Sequence, residues 1–386
     1  MAEQSKKNIF LLCTRADMGG VQVFIRDLAR DLKRRGILVT VGFGPKGDFL
    51  VSELHKLNIT YVRFRRLKRS HNPFTSLAFI SEFKRFLNNN NFTTIHINSS
   101  NALAAAAAAR KCKRRPRTIF TVHGLSLLDK NYKKAAWFKS FYLFYFKFFL
   151  KYIDKLIFIS QENQAQAHKL NICQEDYIIY NGLEPSSIGM LDHYEAQARL
   201  SSVSSPKLRL NWVDSFTIGS VGRLSYQKNY NFLIRVFPEI LRIIPNAKLI
   251  IIGEGEDRAR LEEMIKTNKL EKSIFLTGNI VNAAKYLPAF DLFVLPSRYE
   301  GQPLTLIETL FAGLPMLVTK VGGNSEILND SVDQMYKLND EDDFLKKFKN
   351  MAEHKMHREY LSEQNKEQAQ NFLLSKSVDK YLELYK

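Results

Sequence analysis

Three cysteines in 386 residues, Cys13, Cys112 and Cys173, are too few and too far apart for a disulfide framework or a zinc site. Their scarcity suits a reducing compartment, and no chemistry is assigned to them. Also missing is an apolar run long enough to cross a bilayer, because the densest aromatic stretch, Ala135 to Ile159, is broken by Lys139, Lys147, Lys151, Asp154 and Lys155. The start offers no leader either: Lys6 to Cys13 carries only a short apolar run before a Gly-Gly turn, so the expected location is cytoplasmic. What the first half lacks most is acid. Residues 1–200 hold 32 Lys/Arg against 15 Asp/Glu, a balance of +17 within a total of +18, while the remainder hold 25 against 24. A half so charged should meet something anionic, whether a membrane surface, a nucleic acid or an acidic polymer. No nucleic-acid module is recognisable, which argues against that partner.

The length exceeds what one hydrophobic core usually serves, so two domains are expected. Strand and helix patterns alternate from the start. Asn8 to Cys13 reads as a strand, Asp17-Met18-Gly19-Gly20 as a turn, and Val21, Phe24, Ile25, Leu28 and Leu32 recur at helical spacing before a second strand at Ile37 to Gly42. Further strands are read at Thr60 to Phe64, Thr94 to Asn98, Arg117 to Val122, Lys155 to Ser160 and Tyr177 to Asn181. Helices are expected near Pro73 to Leu87, over the alanines 102–110, and over Ala135 to Lys155. After Asn181-Gly182 the pattern fades until Phe216, and alternation then resumes through Leu295. The boundaries drawn are a first domain over 1–185, a linker over 186–210, a second domain over 211–353 and C-terminal helices over 354–386. Both domains are α/β with parallel sheets.

Open sheets of this kind bind ligands at the carboxyl ends of their strands, and the candidate residues sit there. Glu300 and Glu308 stand eight apart in DLFVLPSRYEGQPLTLIETLFAGLPML, one in the loop after a strand and one two turns into the next helix. Arg223 and Lys228, in GRLSYQKN, flank a helix N-terminus and suit a diphosphate: a bidentate fork, a point charge and free N–H groups. The alternative is surface charges on a loop. Gly253-Glu254-Gly255 makes a flexible turn at the next strand end. Gly20 lets backbone approach a ligand, and His123 ends a strand where it can face the same crevice or serve as a structural histidine.

The segment 135–155 admits two readings. Its lysines and the basic residues upstream, Lys111, Lys113, Arg114, Arg115, Arg117, Lys133 and Lys134, resemble an interfacial element on anionic lipid. Alternatively the aromatics are core and the lysines a solvated face. A second cluster, Arg63, Arg65, Arg66, Lys68 and Arg69, is too local to classify by itself. Asp340-Glu341-Asp342 imitates a metal-binding DxD string but precedes an apolar helical pattern and reads as a helix cap.

Taken in order, GGV at the start, HG at 123, NG at 181, GRL…QKN at 222–229, IIGEGE at 251–256, EGQPLTLIE at 300–308, AGLPML and GGNSEI resemble the retaining glycosyltransferases of GT-B fold, family 4. The resemblance covers essentially the whole chain. It implies two Rossmann-like domains facing across a cleft, with a UDP- or GDP-sugar on the second and the acceptor on the first. It also implies that Gly222, Arg223 and Lys228 hold the diphosphate, Glu308 the ribose, and Glu300 the transferred sugar. Gly301, Gln302, Pro303 and Leu304 complete the donor set, Gly20 approaches the phosphate, and His123 lies near the sugar. No metal or other cofactor is implied. The basic, aromatic first domain points to a glycan or lipid-linked acceptor at the inner membrane face, as in capsule, exopolysaccharide or lipopolysaccharide assembly. The alternatives are a soluble small-molecule acceptor, or a non-catalytic basic binding protein on the same fold.

Overall fold

The computed structural model describes residues 7–386 except 71, 126–127, 130, 133–135, 173–174 and 204–214. Lys133, Lys134 and Cys173 therefore lie outside the described residues. The chain divides into two units, residues 1–182 with 374–386, and residues 183–373.

The first unit alternates without interruption: β1 (Asn8–Leu12), α1 (Gly20–Arg34), β2 (Leu38–Phe43), α2 (Phe49–Lys56), β3 (Thr60–Arg63), α3 (Pro73–Asn88) and β4 (Thr94–Ile97). It continues with α4 (Ala104–Arg110), β5 (Arg117–Val122), α5 (Ala136–Leu150), β6 (Lys155–Phe158), α6 (Gln161–Lys169) and β7 (Asp176–Ile178). All seven strands are parallel, in the order β3-β2-β1-β4-β5-β6-β7. Alternate side chains leave opposite faces of each strand, so Phe120 of β5 joins the core under α3, α4 and α5 while its neighbour Ile119 joins the core under α1 and α2. Buried alanines from Ala104 to Ala109 make α4 thin enough for its flanking helices to meet above it, where Ser76 and Tyr145 share a hydrogen bond of 3.1 Å. α5 stops at Leu150, earlier than the aromatic pattern suggests. Asp154 ends the turn that follows, accepting from the Thr118 N–H at 2.8 Å, and Lys155 already belongs to β6.

The second unit holds α7 (Pro185–Ile188), α8 (His193–Val203), β8 (Thr217–Val221), α9 (Tyr230–Ile243), β9 (Lys248–Ile252), α10 (Arg258–Thr267), β10 (Ile274–Gly278) and β11 (Leu292–Leu295). It ends with α11 (Leu304–Phe311), β12 (Met316–Thr319), α12 (Asn324–Ile327), β13 (Met335–Tyr336), α13 (Glu341–Glu353) and α14 (Lys355–Ala369). Its six parallel strands run β10-β9-β8-β11-β12-β13. The stretch expected as a linker from 186 is largely helical up to Val203. Ala196 and Leu200 of α8 are buried, and His193 and Gln197 bond the carbonyls of Pro288 and Ala289. Asp340 caps α13, its carboxylate accepting from the Asp343 N–H, so the DxD-like string is a helix start.

The C-terminal helices expected over 354–386 divide between the two units. α14 stays with the second unit, where Asn365 bonds Gln334 and the Leu314 carbonyl. The last helix, α15 (Leu374–Leu384), joins the first unit and buries Val378 and Tyr381 beside α1.

Candidate functional site

Strand order in the second unit reverses between β8 and β11, and loops leaving two such strands diverge to open a crevice. Gly222 and Arg223 leave β8, a 3-10 turn spans Tyr226–Lys228, and Glu300 lies on the loop after β11. Folding brings Lys228 and Glu300 together across 72 residues: the ammonium donates to Oε1 at 2.7 Å, with side chains only 14% and 6% exposed. Glu300 is held from two further directions. Ser297 donates to Oε1 at 2.6 Å and Gln227 to Oε2 at 3.2 Å, while Gln227 also donates to the Tyr299 carbonyl at 3.0 Å. A carboxylate offers about four acceptor positions and an ammonium three donors. Glu300 thus keeps one position open and Lys228 two N–H groups, enough to meet a hydroxyl and a phosphate.

Backbone geometry fixes these loops. Asn229 adopts the left-handed conformation at φ 56°, which turns the chain from Lys228 into α9, and its amide donates to Pro296 O and Asn339 Oδ1, both at 3.1 Å. Gly322 sits at φ +55°, and a Cβ there would lie 2.0 Å from the Glu300 carbonyl oxygen. Next to it, the Gly323 N–H donates to Gly301 O at 2.7 Å. Gln302 and Pro303 are buried, Leu304 opens α11, and Glu308 lies half-buried in that helix. Arg223 stands apart from the central pair: it is 67% exposed and bonds Glu256 at 3.0 Å. An exposed pair of this kind is weak and readily exchanged for another anion.

Sequence reasoning singled out Lys228 and Glu300 but gave Gln227, Ser297, Asn229 and Gly322 no role. Gln227 and Asn229 stood inside the quoted QKN string, which was the available signal. Ser297 and Gly322 also stood inside quoted strings, the stretch from Asp291 and GGNSEI, but only the folded register brings them to Glu300.

The first unit has its own reversal, between β1 and β4. The loops there carry Gly20 at the start of α1, the polar run 98–101 and His123. A Cβ on Gly20 would meet no protein atom within 4 Å, so the space beside it is open. Thr14 and Ser99 share a hydrogen bond of 2.6 Å across the two loops. His123 Nε2 donates to Asn98 Oδ1 at 3.1 Å, and its ring meets the edge of Phe24 at 4.9 Å. The Asn98 orientation is fixed because its amide N–H donates to His96 O at 3.0 Å. Loss of surrounding water pushes the His123 imidazole down to about 3. His123 is therefore neutral, with Nδ1 as its acceptor. Behind it, buried His96 bonds Tyr385 at 2.6 Å and Thr121 at 2.7 Å, and desolvation aided by His123 pushes it down to about 3. Cys13 is inert: burial pushes its thiol up to about 12.

Two doubly wound parallel sheets, each with a switch-point crevice, define the class, an α/β protein of GT-B architecture. Comparison with known proteins agrees. The family described as Glycosyltransferase Family 4 matches residues 18–187, and that described as Glycosyl transferases group 1 matches residues 209–368. An uncharacterised glycosyltransferase of Methanocaldococcus jannaschii is 33% identical over 216 residues, 54% of this chain, and the match takes in only about half (51%) of that relative's length. The UDP-Gal:alpha-D-GlcNAc-diphosphoundecaprenol alpha-1,3-galactosyltransferase of Escherichia coli is 26% identical over 317 residues, 80% of this chain and 78% of that one. Among solved structures, HepE of Anabaena in complex with UDP and glucose superposes with a TM-score of 0.81 at 18% identity, covering 98% of this chain and 99% of that one. The chain belongs to the family 4, group 1 glycosyltransferases.

Proposed function

We propose that the chain transfers a sugar from a UDP- or GDP-sugar to a glycan or lipid-linked acceptor, with retention at the anomeric carbon, in cell-surface polysaccharide assembly at the cytoplasmic face of the membrane. The observation that carries this is the Lys228–Glu300 pair at the second unit's switch point, in a chain of this family. The similarity to an enzyme named for a diphosphoundecaprenol acceptor supports the lipid-linked part.

As the bond from the anomeric carbon to the phosphate oxygen breaks, negative charge gathers on the diphosphate and the sugar becomes oxocarbenium-like. Lys228, with two N–H groups to spare, and Arg223, released from Glu256, stabilise that charge. The acceptor hydroxyl forms its bond to carbon on the face the phosphate leaves, and its proton departs with the phosphate. Glu300 uses its open position on a sugar hydroxyl, and Glu308 takes the ribose. Gly222 and residues Gly301 to Leu304 shape the donor pocket, while Gly20 and His123 are the first unit's substrate contacts. No metal takes part, so a chelator should leave turnover unchanged.

The test is nucleotide release from a panel of UDP-, GDP- and ADP-sugars, with a membrane lipid extract or with soluble sugars as acceptor. One donor should react, with the lipid extract, and Lys228→Ala and Glu308→Ala should cost roughly a hundredfold or more. Undiminished turnover in both variants would overturn the site. Turnover with soluble sugars alone would overturn the lipid-linked acceptor.

A further inference from the structure

Opposite sides of α5 differ: one packs into the core and the other faces water. Tyr142, Tyr145, Phe146 and Phe149 are buried in the core over the sheet. Trp137, Phe141, Phe144 and Phe148, spaced four, three and four apart, form a stripe facing water, with Trp137 74% and Phe144 69% exposed. Exposed aromatics aligned in this way mark an interaction surface.

Two of the four lysines expected to accompany the stripe have other duties. Lys139 donates to the Asp129 carbonyl at 2.6 Å and Lys155 pairs with Glu175, whereas Lys151 stays with the stripe, 4.0 Å above the Phe148 ring. The cationic component comes from elsewhere. In parallel β-α-β units the helix runs back against its strands, so the N-termini of α3 and α5 lie at the carboxyl end of the sheet. Just before α3 stand Arg65, Arg66, Lys68 and Arg69, all exposed, and its first turns expose Phe74 at 79% and Leu77 at 62%. No Asp or Glu occurs from Arg65 to Ser81, nor anywhere in α5. The Ser76–Tyr145 hydrogen bond joins the two helices over α4, and Asn101 donates to Ser70 O at 3.2 Å, tying the cationic loop to the polar loop after β4.

We propose that the stripe of α5, with Phe74, Leu77 and the cationic loop 65–69, is a membrane-docking face that seats the first unit on anionic lipid. Rings of Trp and Phe enter the headgroup boundary, and the nearby cations are drawn to the anionic surface. The Trp137 end of the stripe, Phe74 and the cationic loop lie at the same end of the sheet as Gly20, residues 98–101 and His123, so docking there brings that crevice to the lipid surface. The inference deepens the proposed function and takes its purpose from the lipid-linked acceptor.

Vesicle flotation tests it without donor or acceptor, so its outcome is independent of sugar transfer. The whole chain should float with phosphatidylglycerol vesicles at low salt and far less with phosphatidylcholine alone. Trp137→Ser with Phe144→Ser, and separately Arg66→Glu with Arg69→Glu, should each weaken binding roughly tenfold or more. Unchanged thermal unfolding would show that the variants are folded. Absence of flotation by the parent chain, or equal flotation by the variants, would overturn the proposal. A dimer abolished by the same substitutions, with no flotation, would assign the face to a second copy instead. Should flotation hold while nucleotide release fails, the docking face stands and the transfer reading falls.

Discussion

A carboxylate that already accepts hydrogen bonds from an ammonium, a hydroxyl and an amide is poorly suited to proton transfer and well suited to holding its neighbours, which is the state of Glu300. Removing it strands the largely buried Lys228 charge. Glu300→Ala should lower stability by on the order of 3 kcal/mol and abolish transfer. The double replacement Lys228→Met with Glu300→Leu should recover most of that stability, since an apolar pair of similar size fills the same space, yet remain inactive. Urea unfolding beside nucleotide release reads both properties, and an active double variant would remove the pair from the site. At this scale the sequence was most informative where a charge type has one good use, as with Lys228. It was silent on Ser297, whose hydroxyl acquires meaning only through the partner that folding supplies.

Elements were legible wherever a strand ended in a loop of small residues and a periodic helix followed. Local pattern is overridden by packing in two places: among the described residues of α8 only Ala196 and Leu200 are buried, so it looks structureless, and β13 is two residues long. α15 is a different case, its amphipathic pattern clear but its partner unreadable. It is anchored through Tyr385, whose hydroxyl bonds His96 inside the first unit. Tyr385→Phe leaves that imidazole nitrogen without its hydroxyl and should cost about 1–3 kcal/mol. Faster hydrogen exchange in β4 and α15 than in the second unit would locate the loss, and equal exchange throughout would contradict it.

For the whole molecule, His96 and His123 make stability depend on pH. Both are held near 3 in the folded chain, against about 6.5 when unfolded. Between those values the unfolded chain binds protons that the folded one refuses. Stability is thus complete above about pH 6.5 and falls as pH drops towards 3, by up to about 1.4 kcal/mol per pH unit for each histidine. A chain unfolding at the same urea concentration at pH 7 and pH 5 would refute this. His96→Gln with His123→Gln should flatten the profile.

The first unit is built from two pieces of chain, residues 1–182 and 374–386, with the second unit complete between them. During synthesis from the N-terminus, the intervening 183–373 stretch has all its residues before the thirteen that finish the earlier unit emerge from the ribosome. The half that starts first matures last. Until then, the surface of α1 and the buried imidazole that Tyr385 will cover stand open.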